Sequence, residues 1–205
     1  MQTFELIVDF NGIVIFDPSL LEGYFSEINL GDNLYARFVG SDEGERVVEQ
    51  EIVLPVLGLN DGIYSIILRT AKEPRGIDPK TIIVSNVTFP LKIVTKAVIS
   101  DMATLREWAP GENRREVMLS PGNYAVTVNG FRVIARREII DSGFELVFRD
   151  RRVADIERIA REEHASAGAA PLKRSVRPRR SDTGRHGSRN WPHCTMPHQS
   201  IGGIP

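Results

Sequence analysis

The sequence predicts a mainly β protein: an antiparallel β-sandwich or flattened barrel, followed by a C-terminal amphipathic helix and a disordered tail. Three observations predict this class. Short apolar segments with strand-like alternation fill residues 1–149, and turn sequences such as Asn11-Gly12 separate them. After residue 149 the periodicity becomes helical, and after residue 168 it disappears. With 205 residues, the chain is long enough for one domain of about 150 residues and an appendage.

The N-terminal segment predicts a first hairpin. Alternation in "TFELIVDF" places four apolar side chains on one face of a strand: Phe4, Leu6, Val8 and Phe10. Asn11-Gly12 then forms a typical two-residue hairpin signal before the apolar "IVIF". We therefore expect two adjacent antiparallel strands here.

The same logic predicts strand pairs further along the chain. In "LYARFVGSDEGERVVEQEIVLPV", the turn residues Asp42, Glu43 and Gly44 are expected to link two strands, and Asp61-Gly62 to link the next pair.

The segment "NYAVTVNGFRVIARREIIDSGFELVF" predicts three strands. Asn129-Gly130 and the turn at 141–143 separate them, and Tyr124, Val126 and Val128 alternate onto a buried face.

Helices are expected only in connections and at the end of the body. Residues 17–32 can form a short helix after Asp17-Pro18. A second can form in "SDMATLREWAPG", with Ser100 as its N-cap and Pro110-Gly111 as its stop.

The C-terminal part of the chain divides into two segments. Residues 150–168 predict an amphipathic helix whose apolar face holds Val153, Ile156, Ile159 and Ala160. Residues 169–205 are rich in Pro, Arg, Ser, Gly and His, which is typical of a disordered basic tail. Translation out of frame would also produce such a composition, and the sequence leaves the origin of this tail open.

Charge is segregated along the chain. The net charge of −1 conceals a tail, from residue 171, of +6 and a body, residues 1–170, of −7. An acidic body repels nucleic acid and attracts basic partners, so we expect nucleic-acid contact only weakly and through the tail.

The body lacks the side chains of several common chemistries. Histidine is absent before residue 164 and cysteine before residue 194, which excludes Ser-His-Asp and Cys-His catalysis and Cys/His zinc sites from residues 1–163. The tail holds four possible donors, His186, His193, Cys194 and His198, but their spacing matches no zinc module. We therefore predict no metal site and no cofactor.

The N-terminus has neither the basic region nor the apolar stretch of a secretory signal, and one cysteine allows no intrachain disulfide. No apolar run reaches 18 residues, so we expect no membrane span and a cytoplasmic location.

The order of strands and motifs in residues 64–131 is similar to that of a known family. A strand, a charged loop, a strand with "VTFPLKI", and then "LSPGNYAVTV" resemble the small bacterial inhibitor of the competence DNA-entry nuclease and related uncharacterised β-rich proteins. The resemblance implies a cytoplasmic inhibitor that binds a nuclease and blocks it. It assigns no individual binding residue.

The sequence therefore favours a non-catalytic protein-binding domain, such as an immunity protein or an inhibitor of a basic toxin or nuclease. The candidate partner-binding residues lie on two predicted connections: Asp42, Glu43, Glu45, Glu107 and Trp108. Trp108 has a second interpretation as a lid over one end of the sandwich. Two alternatives stay open, a carboxylate-dependent enzyme acting on carbohydrate and a nucleic-acid-associated protein that uses the basic tail. The sequence specifies no catalytic pair and no oligomeric state.

Overall fold

The computed structural model describes residues 1–109 and 114–151, which form two β-sheets with a group of short helices. The strands are β1 (Gln2–Val8), β2 (Gly12–Phe16), β3 (Val53–Leu57), β4 (Gly62–Thr70), β5 (Ile82–Ile93), β6 (Ala97–Asp101), β7 (Arg114–Val117), β8 (Gly122–Ala135) and β9 (Glu138–Asp150). The helices are α1 (Pro18–Tyr24), α2 (Leu34–Gly40), α3 (Glu43–Glu49) and α4 (Ala103–Arg106), with a 3-10 turn at Pro79–Thr81. The mainly β class is therefore confirmed.

The five-stranded sheet has the order β1-β4-β9-β8-β5, and the four-stranded sheet has the order β3-β2-β6-β7. Strand pairs are antiparallel with one exception in the described residues. Strands β4 and β9 run parallel, with Ser65 opposite Gly143 and Thr70 opposite Phe148.

The four-stranded sheet is the central layer of three. All residues of β2, β3 and β6 are buried, because each face of this sheet is covered. One face packs on the five-stranded sheet through an apolar cluster that includes Ile15 and Val126. The other face packs on the helices through a second cluster that includes Phe16 and Phe38. The helices are therefore held together as a layer on one side of the sandwich.

The predicted N-terminal hairpin is wrong, although both of its strands exist. Strand β1 pairs with β4 in one sheet, and β2 pairs with β3 and β6 in the other. Asn11 and Gly12 have φ values of 53° and 143°, and they turn the chain from one sheet to the other. A Cβ atom at Gly12 would lie 2.1 Å from the Val56 carbonyl oxygen, so this corner requires glycine.

The predicted strands around Asp42, Glu43 and Gly44 are also wrong, because this region forms α2 and α3. Leu34 and Phe38 lie four residues apart and are both buried, which is the spacing of a helix face. The side chain of Asn33 caps α2 by accepting a hydrogen bond from the Ala36 amide at 2.8 Å.

The three strands predicted after Gly122 are two long ones. Strands β8 and β9 continue through Asn129-Gly130 and through 141–143, and the turn between them lies at Arg136 and Arg137. Both arginines have positive φ values, 51° and 71°, as a two-residue hairpin turn of this twist requires. Tyr124, Val126 and Val128 are buried between the sheets, as their alternation predicts.

The two short helices predicted in the connections are present. The first covers Pro18–Tyr24 after the cap residue Asp17. The second begins later than predicted, because Ser100 belongs to β6 and Met102 occupies the N-cap position of α4. Nearly all of the predicted C-terminal helix at 150–168, and the whole tail at 169–205, lie outside the described residues. In the described part of the chain, no helix is long and apolar enough to span a membrane.

Asp17 ties α1 to the β5–β6 turn, and its titration should be visible in the stability of the domain. Its fully buried carboxylate accepts hydrogen bonds from the amides of Ser19, Val94 and Thr95 and from the hydroxyls of Ser19 and Thr95, at 2.6 to 2.9 Å. Burial by itself would raise the pKa of this carboxyl, but the hydrogen bonds outweigh burial and lower it to about 2.

Because the folded pKa lies below the unfolded value, Asp17 stabilises the fold above pH 4, by about 2 kcal/mol, and this contribution should be lost as the pH falls towards 2. Urea unfolding of Asp17→Asn should show a lower midpoint at pH 7 and a smaller further loss at pH 2.5 than the native chain. Asp61→Asn, at an exposed position, is the control and should follow the native profile. An unchanged acid dependence in Asp17→Asn would contradict this assignment.

Candidate functional site

The negative charge of the body lies in one part of the fold. The segment 17–51, which contains α1, α2 and α3, has nine Asp and Glu residues and two Arg residues, a net charge of −7. This equals the net charge of the whole body, so the remainder of residues 1–170 is neutral. We call the outer surface of α1–α3 and their connections the acidic layer.

Most carboxylates of the acidic layer face solvent. The exposed acidic residues of the layer are Glu22, Glu27, Asp42, Glu45 and Glu49. Asp17 is buried, and Glu51 pairs with Arg151 at 2.6 Å, so these two contribute little to the outer field. The helices of this layer are only two turns long, and they hold their carboxylates in place by packing on the central sheet.

A shallow cavity of about 310 Å³ lies where α1 adjoins α2 and α3. Its lining residues are Tyr24, Phe25, Ser26, Glu27, Arg37 and Glu43. The guanidinium of Arg37 lies 4.1 Å from the centre of the Phe25 ring and pairs with Glu43 at 3.2 Å. This ion pair uses one arginine and one carboxylate, so the net charge of the acidic layer stays at −7.

Three of the predicted partner-binding residues lie together in this layer. Asp42 is the N-cap residue of α3, and Glu43 and Glu45 lie in its first turn. Carboxylates at a helix N-terminus interact favourably with the helix dipole, so these residues have a structural role as well as an electrostatic one. The predicted acidic residues therefore lie at the start of a helix, α3, and not in a hairpin loop.

The other two predicted residues lie at the edge of the layer and differ in exposure. Trp108 is only 1% exposed and packs against Phe16, with ring centres 6.0 Å apart. Its carbonyl accepts a hydrogen bond from the Gly31 amide at 2.8 Å, and its amide donates to the Asp32 carbonyl at 3.0 Å. The indole therefore belongs to the apolar cluster between the central sheet and the helices, and the Trp108 backbone holds the turn at residues 31–32. Glu107 is exposed beside it.

Glu107 and Trp108 also line a groove with a cavity volume of about 950 Å³ between β1, α4, β7 and the turn at residues 30–31. Its charged lining residues are Glu5, Asp9, Asp101, Glu107, Arg114 and Arg115. Asp101 is committed to the fold, because its two carboxylate oxygens accept the amides of Asp9, at 2.6 Å, and Ala103, at 2.9 Å.

Arg114 is a site residue that the sequence analysis missed. Its guanidinium lies 4.0 Å from the centre of the Trp108 ring and 5.4 Å from that of Phe16. Burial lowers the pKa of Arg114, and the nearby Glu22 carboxylate opposes this shift. The sequence shows Arg114 only as one of two adjacent arginines, and no local pattern marks the one that packs on a tryptophan.

Within residues 1–109 and 114–151, no group of three or more His, Cys, Asp or Glu side chains is arranged to hold a metal ion.

No family model matches this sequence, and a search of curated proteins gave no match. Among solved structures, the chain is similar to one described as "Crocagin biosynthetic gene J", with 15% identity and a TM-score of 0.45. The match covers 74% of this chain and 98% of that chain. A likeness at this level assigns no function.

Proposed function

We propose that this protein is a non-catalytic binding domain that engages a basic protein partner through the acidic layer. The observation that supports the proposal is the location of the charge: the segment 17–51 carries a net −7 while the remainder of the body is neutral. A one-sided field of this kind orients an approaching cationic surface before contact and raises the association rate.

The partner that suits this surface has a cationic cleft of the kind that binds phosphates. A row of exposed carboxylates on a rigid layer presents negative charges to such a cleft, as a nucleic-acid backbone does. The resemblance of residues 64–131 to a nuclease inhibitor agrees with this class of partner, and we propose a basic nuclease or toxin. The acidic layer lies outside the resembling segment, so the two arguments use different residues.

The proposal predicts that charge reversal in the acidic layer slows association. The full chain is used to isolate its partner, and the association rate with the purified partner is then measured by surface plasmon resonance at several salt concentrations. The triple variant Glu27→Lys, Glu45→Lys, Glu49→Lys should associate at least about tenfold more slowly at low salt, because steering depends on these charges. The difference should shrink as salt screens the field.

The matched control reverses three exposed carboxylates outside the layer: Asp61→Lys, Glu138→Lys and Asp150→Lys. It changes the net charge by the same amount, and its association rate should stay within about threefold of the native value, since its charges lie away from the interface. Circular dichroism and thermal melting establish that both variants are folded. Equal slowing in the two variants, or a partner that is not basic, would refute the acidic layer as the binding surface.

A further inference from the structure

The guanidinium of Arg114 has an edge without an acceptor. Its Nε and Nη2 atoms are both buried and have no hydrogen-bond partner in the described part of the chain. These two nitrogens form the side of a guanidinium that pairs with a carboxylate through two parallel hydrogen bonds. A buried donor without an acceptor is costly, so an acceptor that displaced the atoms now covering this edge would be strongly favoured.

The groove's own acids do not supply that acceptor. None of the described carboxylates lies within salt-bridge distance of Arg114, and Glu22 acts on it only through a longer-range field. The guanidinium carbon lies over the rings of Trp108 and Phe16, and neither ring supplies an acceptor to the Nε and Nη2 edge. The side chain is therefore fixed in orientation before any acceptor arrives. Arg114 also lines a second cavity, of about 420 Å³.

Thr104 provides a second, independent sign of a ligand. It is 7% exposed, its Oγ1 atom has no hydrogen-bond partner in the described residues, and it lines the same groove as Arg114. A hydroxyl can both donate and accept, so Thr104 suits a polar group that lies beside the carboxylate. Most buried polar side chains in folded proteins are paired. The described residues with an unpartnered buried side-chain atom also include Arg132 and Arg151, but only Arg114 and Thr104 line this groove.

The remaining lining indicates what else the ligand carries. The apolar part of the lining comes from Leu6, Ile7 and Leu30. Two exposed acidic residues, Glu5 and Asp9, add carboxylates. A ligand that brought only negative charge would be repelled by these acids. A ligand with one carboxylate, an apolar body and one cationic group matches all three kinds of lining, and the cavity volume of about 950 Å³ is in the range of small-molecule sites.

We propose that the groove is a binding site for a zwitterionic, amino-acid-like ligand, whose carboxylate pairs with the Nε and Nη2 edge of Arg114 and whose ammonium faces Glu5 and Asp9. Thr104 hydrogen-bonds the same end of the ligand as Arg114. Among the acidic layer's exposed carboxylates, Glu22 acts on Arg114 through its longer-range field. The charge-reversal variants of the layer leave Glu22 unchanged, so the two proposals are tested separately.

The test is an NMR titration of the full-length, ¹⁵N-labelled chain with free leucine, leucinamide and 4-methylpentanoate, observed at the arginine Nε–H signals. Leucine should shift the Arg114 signal saturably, with a dissociation constant in the millimolar range expected for so small a ligand. Leucinamide lacks the carboxylate and should bind at least about tenfold more weakly. 4-Methylpentanoate lacks the ammonium and should bind about threefold to tenfold more weakly.

Arg114→Gln should abolish saturable leucine binding, and Thr104→Val should weaken it about threefold to tenfold. Arg149→Gln is the matched control, because Arg149 is an exposed arginine that does not line the groove, and it should leave the affinity within about twofold. If Arg114→Gln fails to fold, the comparison of the three ligands on the native chain with the Thr104→Val result still decides the question. Equal shifts from leucine and leucinamide, or no shift at Arg114 up to about 50 mM leucine, would overturn the proposal.

Discussion

Replacing Gly143 with alanine should destabilise the domain by about 3 kcal/mol or more. A Cβ atom at this position would lie 1.8 Å from the carbonyl oxygen of Ser65, which is far inside van der Waals contact. Ser65 is the residue opposite Gly143 where the parallel pairing of β4 and β9 begins. The contact is between backbones, so no side chain can rotate away and the two strands have to separate. Urea unfolding should show a much lower midpoint, or no cooperative transition.

Gly62→Ala is the control for this substitution. Gly62 also lies in β4, but a Cβ atom there would meet only the Tyr64 side chain, at an ordinary 3.7 Å. We expect its free energy of unfolding to stay within about 1 kcal/mol of the native value. Equal stability of Gly143→Ala and Gly62→Ala would show that the close approach of β4 and β9 is absent in solution.

Glu145→Ala should cost about 3 to 5 kcal/mol of folding free energy, because it leaves a buried arginine without its counter-charge. Glu145 is 1% exposed and pairs with Arg69 at 2.7 Å. It also accepts the Gly76 amide and the Asn129 side-chain amide, both at 2.9 Å. These contacts tie the loop after β4 to the outer face of the five-stranded sheet. The change should be measured by chemical denaturation at pH 7.

The double variant Arg69→Met, Glu145→Met separates the loss of the ion pair from the cost of an unpaired charge. Since both charges are removed together, its stability should lie much closer to that of the native protein. A double variant as unstable as Glu145→Ala would contradict this explanation.

The same pair should contribute to acid unfolding. Burial raises the pKa of Glu145, but the hydrogen bonds from Arg69, Gly76 and Asn129 and the charge of Arg69 outweigh burial and lower it below the ordinary glutamate value. Its stabilisation is thus fully present above that ordinary value and is lost as the pH falls through the lowered one. The double variant should therefore lose less stability than the native chain over that range.

The mainly β fold could be predicted from the sequence because the five-stranded sheet has one buried face. Tyr124, Val126 and Val128 alternate with more exposed residues, and this period identifies a strand without any knowledge of its neighbours. The partner of each strand was harder to predict. Asn11-Gly12 and Asp61-Gly62 are good turn signals, but a turn between two sheets has the same local chemistry as a turn within one hairpin.

Helix α1 could be predicted from Asp17-Pro18 at its start, but α2 and α3 were missed because each has only seven residues and shows no clear period. Their buried residues are explained only by the sheet beneath them. The acidity of the site could be predicted, since charge is a property of composition. The unpaired edge of Arg114 could not, because it depends on which rings and acids the fold brings near it.

The parallel contact between β4 and β9 has a consequence for the order of folding. Strand β4 lies between β1 and β9, and its second neighbour lies about 80 residues later in the chain, as the pairing of Ser65 with Gly143 shows. Bringing such distant segments together requires a large loss of chain entropy before any contact compensates for it. The nascent chain therefore cannot complete the five-stranded sheet until β9 has left the ribosome. Until then, the apolar Ile66 and Leu68 of β4 lack their final neighbours, so this strand would stay accessible to chaperones until late in synthesis.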